Sequence, residues 1–366
     1  MLTNRPAQTE KPTRPDRILI VRLSALGDVV LSSGLIPSLL SHWPEAQISW
    51  LVEPAAAPLL KHNPRLHEVI ILPTAHWKSL WRAGKRLQAL REIWRFRASL
   101  RAANFDLVID PQGLLKSGLM ARFSGAPRRV NLKPRESSQW LMHESVRPGP
   151  GEGLDATLPI VAHEYRDLAV YLGAASNSYR MDLAVGDAAR QQARSRLERA
   201  KVGSNYAVLA AFTTRPQKHW IEGNWAGLAD GLLARGLTPL LLGGPTDLEA
   251  AQRIAASHPA IINLVGQCKL DETVAIISEA SLLVGVDTGL SHMAIALNIP
   301  TVALFGSTTP YLRGPDARTQ VLYERLDCSP CNRKPTCHGR FDCMRLLDVA
   351  RVLKAAAEVQ QATSTV

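Results

Sequence analysis

The chain has 366 residues, 46% hydrophobic and 20% charged, a globular composition long enough for two domains. Lys and Arg number 43 against 32 Asp and Glu, and the net charge of +11 favours anionic partners: nucleic acid, a phospholipid surface or a phosphorylated substrate. No window approaches the ~20 apolar residues of a membrane-spanning helix, and five cysteines are too few for a disulfide framework in a chain this long.

Residues 1–16 are polar and proline-containing, lack an apolar signal core, and read as a disordered tail. Residues 17–23 (RILIVRL) predict a strand, followed by a Gly-Asp loop and a helix over 29–42. Strands follow at 48–52 and 68–72, then a long basic helical region at 77–103. Residues 105–109 (FDLVI) predict a strand that runs into Asp-Pro-Gln-Gly. A Gly/Pro patch at 148–153 reads as a loop, with a helix over 163–173 beyond it. The pattern then restarts, with strands at 206–211, 238–242, 261–265, 282–286 and 301–305. Helices at 225–235, 248–257, 270–279 and 292–297 alternate with them. Alternation of this kind predicts a parallel α/β sheet in each half. The expected division is a domain over 17–180, a second over 181–345, and a C-terminal helix within 346–366 that packs back on the first domain. DLVIDPQGLLKS (106–117) echoes LLVGVDTGLSHM (282–293), and ligands of such sheets bind outside the C-terminal strand ends.

Three loops carry chemistry. In Val286-Asp-Thr-Gly-Leu-Ser-His292 a strand meets a helix start. Backbone N–H groups there favour an anion, Gly289 permits close approach, and Thr288 and Ser291 offer hydroxyls; the plainer reading is a helix cap. Thr213-Thr-Arg-Pro-Gln-Lys-His-Trp220 supplies hydroxyls and cations suited to a diphosphate, with Lys218 placed to offset charge on a departing phosphate. Its plainer reading is a solvated loop anchored by Trp220. In Ser24-Ala-Leu-Gly-Asp28 the carboxylate of Asp28 projects towards the cleft as a general base, or else caps a helix. Neither G-x-G-x-x-G nor the Walker pattern is present at these loops, which argues against NAD-dependent and P-loop chemistry.

Together, RLSALGDVV, IDPQGLLKSG (109–118), the Arg135-Glu136 pair, TTRPQKHW and VDTGLSHMA resemble glycosyltransferase family 9, the ADP-heptose:lipopolysaccharide heptosyltransferases, over residues 17–350. The resemblance implies a GT-B fold, two Rossmann-like domains facing an interdomain cleft. It implies inverting, metal-independent transfer of L-glycero-D-manno-heptose from ADP-heptose to the lipopolysaccharide inner core. Asp28 matches the family's catalytic base. Thr213, Thr214 and Lys218 match its diphosphate contacts, and Asp287, Thr288, Gly289 and His292 match the second nucleotide-sugar loop. Asp247 falls at the ribose and Cys268 at the adenine. Lys116 and Arg135 match positions facing the acidic acceptor. The SALGD and VDTGLSH forms look closer to the heptosyltransferase I type, which acts on Kdo. The cysteine stretch looks closer to the type II enzymes, which act on the first heptose.

No cofactor is implied for catalysis. Cys328, Cys331, Cys337 and Cys343 form C-x₂-C-x₅-C-x₅-C, a candidate structural site for Zn²⁺ or an iron–sulfur cluster, or simply reduced thiols. The basic region at 77–101, with interleaved Trp77, Trp81, Trp94 and Phe96, is either a surface for anionic lipid or a solvated face over a core. The implied location is the cytoplasmic face of the inner membrane, as a peripheral protein. The rival readings are a later-acting core transferase using another nucleotide-sugar and a nucleic-acid-binding protein. The second has no motif behind it, so no nucleic-acid partner is expected.

Overall fold

The structure, a computed structural model, describes residues 14–148, 161–308, 310, 318–331 and 334–364. Most of the expected tail and residues 149–153 of the Gly/Pro patch lie outside the described residues.

Strands β1 (Arg17–Val21), β2 (Gln47–Val52), β3 (Leu66–Ile71), β4 (Leu107–Asp110), β5 (Arg128–Leu132) and β6 (Glu144–Val146) pair in parallel in the order β3-β2-β1-β4-β5-β6. A second parallel sheet holds β7 (Tyr206–Ala210), β8 (Thr238–Leu241), β9 (Ile262–Asn263), β10 (Leu282–Val286), β11 (Thr301–Phe305) and β12 (Thr319–Tyr323), ordered β12-β11-β10-β7-β8-β9. The second order is the first one repeated: in each half the strand order reverses beside the first strand. The switch points therefore lie between β1 and β4, and between β7 and β10. Central strands such as RILIV and TVALF are apolar on both faces because helices cover both faces.

The first sheet carries α1 (Leu26–Ser32), α2 (Leu35–His42), α3 (Thr74–Arg82), α4 (Arg86–Ala102), α5 (Leu115–Ser124) and α6 (Val161–Tyr171). The second carries α7 (Asp187–Arg199), α8 (Asn224–Leu233), α9 (Leu248–Ser257), α10 (Leu270–Ser278), α11 (Gly289–Ala296), α12 (Asp342–Arg345) and α13 (Val349–Ser364). One buried apolar cluster runs from Ile18 and Ile20 of β1 through Leu168 of α6 to Tyr206 and Val208 of β7, joining the halves.

The structure corrects four expectations. The helix over 29–42 is two helices. Tyr179 lays its ring against Gly34, where a Cβ would come within 2.6 Å, and its hydroxyl donates to the Leu31 carbonyl, which ends α1. The long basic helix is also two. Gly84 is left-handed at φ +74° and Lys85 N–H donates to the Leu80 carbonyl at 2.9 Å, a Schellman stop. The strand over 261–265 shortens to Ile262–Asn263 at a sheet edge, where Asn263 Oδ1 accepts from Val265 N–H and turns the chain.

The fourth concerns the C-terminal helix. It packs on α8, β10, β11 and β12 of the second sheet, not back on the first. Its buried face of Val352, Ala355, Ala356 and Val359 joins the second apolar core, and Leu353 fills the space left by Gly231. Strands β5, β6 and β12 and helix α7 were not expected. Strand β5 alternates poorly (RRVNL) because Arg129 and Asn131 are buried polar residues with partners of their own.

Candidate active site

Four loops leave the strands that flank the two switch points: after β1, β4, β7 and β10. They hold Asp28, residues 110–116, Thr213–Lys218 and Asp287–His292, so the fold itself gathers the motifs. Helices α1 and α11 meet end to end across the cleft. A Cβ on Gly27 would lie 2.7 Å from His292 Cδ2, and one on Gly289 would lie 3.4 Å from Gly27 N. Two glycines at this junction let the helix starts approach backbone to backbone. Asp28 follows Gly27, the residue that abuts the start of α11.

Asp28 sits in the first turn of α1 and is partly exposed. Its Oδ2 is 2.6 Å from Arg22 Nη2 and accepts weakly from Ala25 N–H at 3.4 Å. Arg22 is buried, donates from Nη1 to the Pro111 carbonyl at 3.0 Å, and lies 5.9 Å from the Tyr165 ring centre. The guanidinium thus ties the turn that carries Asp28 to the β4 loop. Sequence reasoning did not single out Arg22, although it stands inside the RLSALGD motif.

The β4 loop is built on Asp110, which is completely buried. Its Oδ1 accepts from Gln112 and Gly113 N–H, both at 3.0 Å, and its Oδ2 accepts from Ser117 Oγ at 2.9 Å. Burial pushes the carboxyl up to about 6, against the pull of those hydrogen bonds and of Arg22. The folded value lies above the unfolded one, so the folded state binds the extra proton. Its stability contribution is complete below about pH 4 and is lost as pH rises through 6, a span worth roughly 3 kcal/mol. Asp110→Asn keeps the acceptor Oδ1 and can donate to Ser117. Relative to wild type, its thermal midpoint is expected to rise between pH 4 and pH 7. Parallel profiles would show that Asp110 does not titrate in that window.

Gly113 in the same loop has φ +64°, and a Cβ there would meet the Leu132 carbonyl oxygen at 2.3 Å. Gly113→Ala is expected to destabilise by at least about 2 kcal/mol through strain and displacement of β5. Urea unfolding checks this, and a change under about 0.5 kcal/mol would mean that the loop yields. Arg135 N–H donates to the Gly113 carbonyl at 2.7 Å, and its Nη2 reaches the Gln112 carbonyl at 3.4 Å. Lys116 is ion-paired with Glu53, which also accepts from Thr74 Oγ1. Lys116 and Arg135 thus flank one loop.

Across the cleft, Asp287 is the centre of a second network. Lys218 Nζ is 2.5 Å from its Oδ2, the Thr308 hydroxyl donates to the same oxygen, and His292 Nε2 lies 3.4 Å from Oδ1. Burial would raise this carboxyl, but the His292 and Lys218 contacts outweigh it and hold it well below the usual carboxylate range. Asp110 is the last residue of β4 and Asp287 the first after β10, the fourth strand of each half in chain order, so the sequence echo is a topological equivalence. Their uses differ: Asp110 closes its own loop, whereas Asp287 grips a lysine from the neighbouring one. Thr288 is the N-cap residue of α11, whose first-turn N–H groups open towards the cleft. Ser291 is not available as a hydroxyl donor, because it is buried and donates to the Val286 carbonyl at 2.6 Å.

In the β7 loop, His219 Nε2 is 2.8 Å from the Thr213 carbonyl and Trp220 donates to the Leu347 carbonyl at 2.7 Å. These anchors fix the turn that carries Thr213, Thr214 and Lys218. Asp247 follows β8 and accepts from Gly244 N–H at 2.8 Å, which closes its own turn. Cys268 follows β9, half-buried, and burial pushes its thiol up to about 11, so it stays neutral.

The cysteine stretch was expected to be either a structural metal site or reduced thiols. Among the described residues, which include all four thiols, no three His, Cys, Asp or Glu side chains form a group that could hold a metal ion. Cys343 is buried against Gly306 instead, and Cys331 Sγ approaches the Ser307 carbonyl at 3.8 Å.

The family model described as glycosyltransferase family 9 (heptosyltransferase) matches residues 93–341. The chain is 32% identical to lipopolysaccharide heptosyltransferase 1 of Pseudomonas aeruginosa over 332 residues, covering 88% of this chain and 87% of that one. The glycosyltransferase of family 9 from Veillonella parvula superposes with a TM-score of 0.79 at 21% identity, over 95% of this chain and 98% of the other. The E. coli heptosyltransferase WaaC with ADP-2-deoxy-2-fluoro heptose superposes with a TM-score of 0.66 at 25% identity, over 93% and 99%. The two doubly wound sheets facing a cleft are the GT-B fold of these neighbours. The chain belongs to glycosyltransferase family 9, the heptosyltransferase family.

Proposed function

We propose that the protein transfers L-glycero-D-manno-heptose from ADP-heptose to Kdo of the lipopolysaccharide inner core, by a single inverting displacement without a metal ion. The observation that carries this reading is the meeting of α1 and α11. It brings the turn that carries Asp28 against the start of α11, whose preceding Asp287 holds Lys218, a cation suited to a diphosphate. Asp28 takes the proton of the acceptor hydroxyl as that oxygen attacks the anomeric carbon. The bond to ADP breaks on the opposite side, and Lys218 with the N–H groups at Thr288-Gly289 takes up the charge that develops on the leaving phosphate. Thr213 and Thr214 hold the diphosphate, and His292 orients Asp287. Asp247 meets the ribose, and the neutral Cys268 lies against the adenine. Lys116 and Arg135 receive the carboxylates of the acceptor.

The type I acceptor is favoured by the higher identity to heptosyltransferase 1 of P. aeruginosa, 32%, than to E. coli heptosyltransferase 2, 26%. A lipid-anchored acceptor puts the enzyme at the cytoplasmic face of the inner membrane. Calorimetric titration tests the donor assignment. ADP is expected to bind in the presence of EDTA, at least about tenfold more tightly than UDP, a difference of about 1.4 kcal/mol. Equal affinities, or binding that needs Mg²⁺, would count against it.

A further inference from the structure

Helix α4 is apolar on two opposite faces. Ala89, Phe96 and Leu100 point inward, and Phe96 meets Trp77 of α3 edge to face with ring centres 5.4 Å apart. Leu87, Leu90 and Trp94 follow helical spacing on the other side. They lie in the open, with Leu87 84% and Trp94 60% exposed. An apolar stripe on the face away from the core is left without a protein partner, since α4 packs on protein along its other face only. The exposed stripe continues onto its neighbours. Trp81 of α3 is half exposed, Leu115 and Leu119 of α5 are exposed, and Trp140, in the short turn packed on α5, is 82% exposed. Among the described residues, seven of the thirteen exposed large apolar side chains lie on this one edge.

Cations frame the stripe. Between residues 77 and 101 stand Lys78, Arg82, Lys85 and five arginines of α4, against the single acid Glu92, which is itself paired with His76. Two guanidiniums lie over the exposed indoles: Arg97 at 4.8 Å from the Trp94 ring centre and Arg86 at 5.6 Å from that of Trp81. Indole with arginine at its rim is suited to a headgroup layer, where the ring enters the acyl boundary and the cation stays with phosphate. No described helix is long and apolar enough to cross a membrane.

We infer that the α3–α4–α5 edge, with Trp140, seats the enzyme in the plane of an anionic lipid bilayer, with Leu87, Leu90, Trp81 and Trp94 entering the interface. A second copy is disfavoured, because apposing two such edges would bring like charges together. Nucleic acid would use the cations but gain nothing from the exposed leucines. The edge adjoins Lys116 on α5, so seating it would present the acceptor loop to the lipid surface; that consequence rests on the proposed acceptor, while the seating itself does not.

The test is flotation with phosphatidylethanolamine–phosphatidylglycerol vesicles, comparing wild type with the Leu87→Glu/Trp94→Glu variant. Both sites are exposed, and thermal melts confirm folding. Wild type is expected to partition to these vesicles and much less to phosphatidylcholine, with the variant reduced roughly tenfold or more. Transfer to a deacylated, water-soluble acceptor is expected to stay within about twofold of wild type, since neither residue touches the cleft. A second variant, Arg91→Ser/Arg95→Ser, should weaken partitioning mainly at low salt. Equal partitioning of wild type and the double glutamate variant would overturn the inference. So would binding to duplex RNA in place of vesicles, or a dimer that the glutamates dissociate. Vesicle partitioning without any transfer would support the seating and overturn the proposed function instead.

Discussion

Asp28→Asn is expected to lower kcat for heptosyl transfer by about 10²–10⁴-fold while leaving ADP-heptose affinity within about twofold. The acceptor hydroxyl must lose its proton as it bonds to the anomeric carbon, and a neutral amide cannot take it. Asparagine preserves the size of the side chain and its place in the first turn of α1, so donor binding across the cleft should persist. Arg22 holds Oδ2 of the native carboxylate at 2.6 Å, so on the proposed mechanism Oδ1 is the atom that would take the proton. The pattern to look for in steady-state kinetics is a fall in kcat without a rise in the donor KM. A variant within tenfold of wild type would place the base elsewhere and reduce Asp28 to a partner of Arg22.

Lys218→Ala should cost about 10²–10³-fold in kcat/KM, the size seen when one preorganised group that stabilises transition-state charge is removed. It should also lower the thermal midpoint. Asp287 is buried, and without the lysine it would lose one of the described partners that offset its charge, keeping His292 and Thr308. The two effects separate in Lys218→Arg. An arginine keeps a cation beside Asp287 and should recover most of the stability. It should recover only part of the rate, because its planar fork does not put a point charge where the ammonium was. A stable Lys218→Ala enzyme with unchanged kcat/KM would mean that the α11 N-terminus alone carries the leaving group.

The alternation of apolar runs was enough to place both sheets, because a strand buried on two faces is written as a continuous apolar run. The loops that follow β1, β7 and β10 were legible for the same reason: each begins where such a run stops at Gly, Thr or Asp. Elements that obey other rules were not legible. Strand β5 carries buried Arg129 and Asn131, whose partners lie elsewhere in the chain. The break between α1 and α2 depends on Tyr179, almost 150 residues away. The seat of α13 depends on a gap above Gly231 that nothing local announces.

The site divides in the same way. Asp28, Lys218, Asp287 and His292 were singled out from their motifs, and the structure places them on the loops at the two switch points. Arg22, Glu53 and Thr308 act only through contacts made in space: Arg22 on Asp28, Glu53 on Lys116, Thr308 on Asp287. Asp110 stood in the echoed segment, but its complete burial, which sets its titration, is a property of the fold. The cysteine spacing was compatible with a metal, but among the described residues no three ligand side chains form a group that could hold one, and buried Cys343 faces Gly306.

The most direct test is transfer from ADP-heptose to purified Kdo₂–lipid A and to its mono-heptosylated form, run in EDTA with wild type and Asp28→Asn. The predicted result is one heptose added to Kdo₂–lipid A with inverted anomeric configuration, no addition to the heptosylated acceptor, and loss of product in the variant. Absence of product from both acceptors, with ADP-heptose intact, would contradict the assignment of this site to heptosyl transfer.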